Sequence, residues 1–159
     1  MAIPLVSTWR KIYASGLDEF DPNLYRQLIG LLMYLVNTRP DINFAVNSLS
    51  QFMVDPRRVH WTAVKHILRY IRGTVEYGLV YERRGVQLVG FTDADWAGCV
   101  EDWKSNSGCC FSIGSGVVSW FSRKQKLVAL SSTEVEYMAA NMVACEGVAV
   151  EVTFGVVRV

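Results

Sequence analysis

The chain has 159 residues, enough for one domain or one plus part of a second. With 51% hydrophobic and 19% charged residues it can bury a core, which excludes a disordered tail. The formal net charge of +1 supplies no overall attraction to nucleic acid, so any such binding must come from a local patch. Four cysteines (Cys99, Cys109, Cys110, Cys145) lack C-x-x-C spacing and have no nearby pair of histidines, which argues against zinc. Reduced thiols suit an intracellular compartment. The longest apolar stretch, Leu28 to Val36, is far below the roughly 20 residues of a membrane span, so no membrane partner is expected. Residues 1–19 have no apolar signal-peptide core. Arg10 and Lys11 hint at a mitochondrial presequence, and the early Asp18 and Glu19 count against it.

Residues 1–20 show no strong period and read as an extended arm. Asp21-Pro22 opens a helix, with Asp as cap and Pro at the first helical position. Leu24, Leu28, Leu31, Leu32 and Leu35 recur at spacings of three and four, which predicts an amphipathic helix to about Asn37. Pro40 opens a second helix with Ile42, Ala45, Val46, Leu49, Phe52 and Met53 as its apolar face. Val59, Ala63, Ile67 and Tyr70 line a third, which stops at Gly73. Three antiparallel helices with short connections make a small helical unit over residues 1–75.

The third helix carries Arg57, Arg58, Lys65, Arg69 and Arg72, with His60 and His66. A basic stripe of this kind either contacts nucleic-acid phosphates or is a solvated face. Neither histidine has a catalytic partner in view, so both read as structural or surface. Trp61 could stack on a base, but a tryptophan on a helix face is more often core.

Tyr77 to Tyr81 and Val86 to Phe91 predict strands around a turn at Glu82-Arg83-Arg84-Gly85. The second strand runs into Gly90-Phe91-Thr92-Asp93-Ala94-Asp95-Trp96. Asp93 and Asp95 share a strand face at spacing two, and they repel unless a cation or proton lies between them. A polar loop with Asp102 follows. A hairpin is expected from Cys109 to Phe121, turning at Gly114-Ser115-Gly116. Ser131-Ser132-Thr133-Glu134-Val135-Glu136 then reads as a helix start. Glu134 and Glu136 lie about 200° apart on that helix and flank its apolar face at similar angles, so periodicity does not choose between them.

These motifs together resemble the RNase H region of copia-type LTR retrotransposon polyproteins, preceded by the end of the reverse transcriptase. The matching residues include Phe91-Thr92-Asp93-Ala94-Asp95-Trp96-Ala97-Gly98, Lys104-Ser105-Asn106-Ser107-Gly108, Ser122-Arg123-Lys124-Gln125 and Val128-Ala129-Leu130-Ser131-Ser132-Thr133-Glu134-Val135-Glu136-Tyr137. Upstream, Tyr25-Arg26-Gln27-Leu28-Ile29-Gly30, Thr38-Arg39-Pro40-Asp41-Ile42 and Leu68-Arg69-Tyr70-Ile71-Arg72-Gly73-Thr74 match as well. The resemblance implies an α/β (α+β) fold: the helical unit, then the first part of an RNase H-like domain over residues 76–146. There a mixed sheet of three to five strands, mostly antiparallel, carries one packed helix.

It further implies Asp93 and Glu136 as catalytic, metal-binding carboxylates, with Asp95 and Glu134 as neighbours. Enzymes of the family hydrolyse the RNA strand of an RNA–DNA hybrid with two Mg²⁺ ions held by four carboxylates. Here the third and fourth are missing, so the pair is vestigial and Mg²⁺ binding is expected to be weak or absent. Glu151 is a remote candidate for a substitute ligand. The pattern is lost after Glu146, and residues 147–159 form a valine-rich tail able to pair with an open sheet edge or to replace a missing strand. Three functional readings follow. One is an inert transposon fragment, the second an RNase H completed by a partner, and the third a module that binds nucleic acid, or a protein at the open sheet edge.

Overall fold

The computed structural model describes residues 3–5, 18–82, 87–95 and 103–154. The turn at 83–86, the loop with Trp96, Cys99 and Asp102, and the last five residues lie outside them, as does most of the N-terminal arm. The chain divides into two compact units, Met1–Gly78 and Leu79–Val159.

The first unit is helical. Helix α1 is Pro22–Leu35, a 3-10 turn follows at Pro40–Ile42, α2 is Asn43–Ser50 and α3 is Arg58–Gly73. The Asp21 carboxylate caps α1 by accepting from the Asn23 N–H at 2.8 Å, as its sequence predicts. The core gathers Tyr25, Ile29 and Leu32 from α1 and Ile42, Ala45, Val46 and Leu49 around α2. Ala63, Val64, Ile67 and Tyr70 come from α3.

Of the leucine stripe read from the sequence, Leu28, Leu32 and Leu35 pack on the core. Leu24 and Leu31 are exposed, at 45% and 70%, whereas Tyr25 and Ile29 are fully buried, so the buried face is turned toward Tyr25 and Ile29. The Tyr25 hydroxyl donates to the Leu49 carbonyl at 2.8 Å, which gives a buried polar atom a partner. Burial pushes the Tyr25 phenol well above its ordinary range.

Arg39 is the chief polar element of this core. Its side chain is 7% exposed. Nε and Nη2 donate to the two Asp41 carboxylate oxygens at 2.9 and 2.7 Å. Nη1 and Nη2 donate to the Thr74 carbonyl and hydroxyl at 2.9 and 2.7 Å. The Tyr70 hydroxyl donates to Asp41 at 2.9 Å. The guanidinium thereby joins the start of α2 to the end of α3 and stabilises the carboxylates' ionised form, lowering the Asp41 pKa.

The second unit is a sheet in the order β1-β2-β3, formed by Leu88–Asp95, Asn106–Ile113 and Gly116–Lys124, with α4 (Ser132–Phe154) packed on it. Where a mixed sheet was expected, all the described strands pair antiparallel. Residues 96–105 and the two-residue turn Gly114-Ser115 are too short for the crossover a parallel pair needs. Gly114 has φ +61°, a left-handed conformation that suits glycine.

Tyr77 to Tyr81 forms no strand. The segment meets the β2–β3 turn through side chains instead. The Tyr81 hydroxyl donates to the Val117 carbonyl at 2.8 Å, and its ring occupies the space a Cβ on Gly116 would take. The valine-rich stretch from Gly147 to Phe154 is also not a strand, because α4 continues through it. Gly147 brings the helix close to the Phe111 ring, and Val150 is buried in the cluster with Cys109 and Phe111. Packing there outweighs the β preference of valine. None of the described helices is long and apolar enough to cross a membrane.

Candidate functional site

β1 ends in Asp93 and Asp95, the first turns of α4 carry Glu134 and Glu136, and local hydrogen bonds divide the four acids. The Asp95 carboxylate accepts from the Asn106 N–H, which ties the end of β1 to the start of β2. Glu134 accepts from the Leu130 N–H at 2.7 Å, and its own N–H donates to the Ser131 hydroxyl at 3.2 Å. Ser131 thus caps the first turn, and Glu134 reaches back to the residue before the cap, so Glu134 holds the helix start. Asp93 and Glu136 are both exposed and make no hydrogen bond or ion pair with any described residue.

The buried face of α4 separates the two glutamates, which periodicity alone left equivalent. Val135, Ala139 and Val150 are the buried residues of this helix. At 100° per residue their mean direction lies about 70° from Glu136 and about 130° from Glu134. Glu136 therefore borders the sheet-facing side, and Glu134 points toward solvent.

A residue the sequence did not single out as a site determines where α4 begins. Gln125 is 3% exposed. Its Nε2 donates to the Ser107 hydroxyl at 2.8 Å and to the Val135 carbonyl at 3.2 Å. Its backbone N–H donates to the Ser105 carbonyl at 2.8 Å. Ser107 is the register partner of Ala94, which sits between Asp93 and Asp95. Gln125 thus pins the residue before Glu136 beside the strand end that carries Asp93. Its Oε1 is buried with no hydrogen-bond partner among the described residues. A polar residue just after a strand reads as loop, and only its burial marks it.

The same register limits how far the two acids come together. Asp93 pairs with Gly108 and Thr92 with Cys109. Cys109 and Phe111 are buried on the side that receives α4. Alternation therefore places Asp93 on the opposite face. Asp93 and Glu136 lie at one end of the sheet but on different sides of it, so an ion shared by both would sit at the rim. Among the described residues, no three His, Cys, Asp or Glu side chains gather as metal ligands. Glu151 does not substitute, because it lies about 22 Å along α4 from Glu136. Glu146 faces Arg123 at 3.5 Å instead.

The predicted basic residues separate too. Arg57 pairs with Asp55 at 2.7 Å, and Arg58 lies 4.0 Å from Asp18. Lys65, Arg69 and Arg72 are exposed and have no ion pair or hydrogen bond to any described residue. His60 is structural: its Nδ1 accepts from the Arg57 N–H at 2.9 Å, and the ring stacks on Phe52 with centroids 3.9 Å apart. His66 approaches the Ile3 carbonyl at 3.4 Å. Trp61 stacks on Phe20 at 4.4 Å, in keeping with a core role. Burial raises the Cys109 thiol to about 11, so it stays protonated at neutral pH, and Cys145 is exposed.

The structure defines a helical unit joined to a small antiparallel sheet, with a pair of unengaged acids at one sheet end. No family model matches the chain, and no solved structure matches it. Curated proteins do. It is 42% identical over 138 residues to the retrovirus-related Pol polyprotein from transposon RE2 of Arabidopsis thaliana, spanning 86% of this chain and 10% of that polyprotein. It is 49% identical over 118 residues to the corresponding polyprotein from transposon TNT 1-94 of Nicotiana tabacum, spanning 9% of its length. A secreted RxLR effector protein of Plasmopara viticola is 52% identical over 126 residues, which cover 89% of the effector. The chain is related over most of its length to retrotransposon Pol polyproteins and spans about a tenth of those it matches.

Proposed function

We propose that this chain is a copia-type, RNase H-like fragment that keeps Asp93 and Glu136 as half of a metal site and does not cleave nucleic acid by itself. The observation that carries the proposal is the division among the four acids. Asp95 and Glu134 are engaged in local caps, whereas Asp93 and Glu136 are left exposed at the sheet end. Structural acids would be expected to find partners, and acids kept for a ligand would not.

Magnesium, when bound in such a site, supplies an activated water and stabilises a leaving oxygen. The donor set here does not fit a two-metal pair. Two carboxylates on different sides of a sheet offer one loosely held ion at most, because Mg²⁺ demands near-octahedral oxygen geometry. The two acids that follow Glu136 in the sequence, Glu146 and Glu151, are respectively paired with Arg123 and about 22 Å away.

The test is incubation of the purified chain with an end-labelled RNA–DNA hybrid in Mg²⁺, read on a denaturing gel. The expected result is intact RNA. Cleavage that disappears in Asp93→Asn or Glu136→Gln would overturn the proposal and require further ligands.

A further inference from the structure

We propose that the outer edge of β1 docks one extended, basic segment of a partner protein, which pairs as an added strand and sets two cationic side chains against Asp93 and Glu136. The Gly114 N–H donates to the Gln87 carbonyl at 3.2 Å, in line with the register that pairs Leu88 with Ile113. Residues 87, 89, 91, 93 and 95 therefore turn their backbone groups toward β2, and Leu88, Gly90, Thr92 and Ala94 turn theirs outward. The bond from the Asn106 N–H to Asp95 fits this alternation. β1 is an end strand of the sheet, and no described residue is hydrogen-bonded to the four outward N–H and C=O pairs. Strand edges are commonly blunted by lysine, proline or a bulge. β1 has none of these: Leu88 to Thr92 is uncharged, free of proline and in unbroken register with β2.

The chemistry on the two sides of this edge selects the occupant. On the sheet face away from α4, Val89, Phe91 and Asp93 are exposed, Phe91 at 59%. On the other face α4 borders the edge. Its Met142, Cys145 and Ala149 line a cavity with Arg123 of β3 and lie about 80° to one side of its buried direction. Glu136, Ala140, Val143 and Gly147 lie about 80° to the other side, toward β1. Asp93 and Glu136 thus flank the same stretch of open backbone. An added strand alternates its side chains between the two faces, so two consecutive residues beside Asp93 and Ala94 meet one acid each. A residue two places before them meets Phe91.

Neither acid has a partner among the described residues, and β1 carries no basic residue. Cations at the two positions complement them, whereas an acidic segment is repelled. Nucleic-acid phosphates are repelled for the same reason. A second β1 would bring two more aspartates and no cation, so another copy of this chain is disfavoured. The outward backbone groups carry the proposal, which therefore does not rest on the metal-site reading.

The experiment is fluorescence anisotropy of the full chain with the labelled peptide Thr-Val-Thr-Val-Thr-Arg-Lys, acetylated and amidated, in EDTA so that no metal contributes. This basic peptide should bind about tenfold more tightly than its counterpart ending in Glu-Glu. The double variant Asp93→Lys/Glu136→Lys should reverse that preference. Thr92→Pro removes one outward N–H and no bond to β2, and should weaken binding at least about fivefold. Its circular dichroism melt checks that it folds. A basic peptide N-methylated at every residue keeps its charge without backbone donors, and it should not bind; it carries the backbone test if Thr92→Pro is unfolded. Absence of saturable binding, equal affinity for the acidic or the N-methylated peptide, or unaltered affinity in folded Thr92→Pro overturns the proposal. So does a wild-type dimer in sedimentation velocity that Thr92→Pro dissolves, because the edge would then belong to a second copy.

Discussion

Replacing Gln125 tests how the first turn of α4 is held, and two variants should behave in opposite ways. In Gln125→Leu the bonds to Ser107 and Val135 are lost, each worth about 1 kcal/mol. The same change removes the buried Oε1 that has no described partner, relieving a penalty of about 1–3 kcal/mol. The Val135 carbonyl keeps its place in the helix. The two effects nearly cancel, so the net change should stay within about 1 kcal/mol.

Gln125→Glu places a carboxyl at a site only 3% exposed. Its charged form is excluded there, and the protonated form can still donate one hydrogen bond. The folded pKa is therefore raised above the unfolded value of about 4.3, and the folded state binds the extra proton. Stability is retained below about pH 4.3 and falls by about 1.4 kcal/mol per pH unit above it, reaching a loss of roughly 3.7 kcal/mol at pH 7. The assay is urea unfolding at several pH values, followed by the NMR signals of the Val135 methyl groups, which are buried in the same unit. A pH-independent Gln125→Glu variant, or a loss above about 3 kcal/mol in Gln125→Leu, would refute the reasoning. The second result would mean that Oε1 has a partner.

The remaining predictions concern the core and the thiols. Asp41→Asn leaves the Arg39 guanidinium without its ion-pair partner at a site 7% exposed, and should destabilise the helical unit by about 3 kcal/mol in urea unfolding. Arg39 lowers the Asp41 pKa, so the wild-type pair stabilises the fold above the unfolded value near 3.8, and that contribution is lost as pH falls through the folded value. The acid limb of stability should be shallower in the variant. Tyr25→Phe removes the donor to the Leu49 carbonyl and should cost about 1 kcal/mol in the same assay. Iodoacetamide labelling read by peptide mass spectrometry should modify Cys145 in the native protein and spare Cys109 until unfolding.

Much of the architecture was legible because it rests on local rules. Asp21-Pro22 opened α1, the break at Asp55-Pro56 preceded α3, and a serine cap with early glutamates opened α4. The spacing of Asp93 and Asp95 placed both acids on one strand face, and the register agrees. By itself, then, the sequence determined where most elements begin, which residues carry charge, and the resemblance that the polyprotein relatives support.

Tertiary structure decided every choice between local equivalents. On α1 the leucine period was right for Leu28, Leu32 and Leu35, and packing turned Tyr25 and Ile29 inward in place of Leu24 and Leu31. Glu134 and Glu136 were symmetric until burial of Val135 and Ala139 fixed which side of α4 meets the sheet. The valines after Gly147 favour a strand in isolation but are helical because Val150 packs with Cys109 and Phe111. Gln125 gave no signal of burial, since nothing in its neighbours in sequence shows that the start of β2 and the first turn of α4 both meet its amide. The physical reason is common to all four. Periodicity and capping involve residues within about one helical turn or a few strand positions, whereas burial depends on segments far apart in the chain.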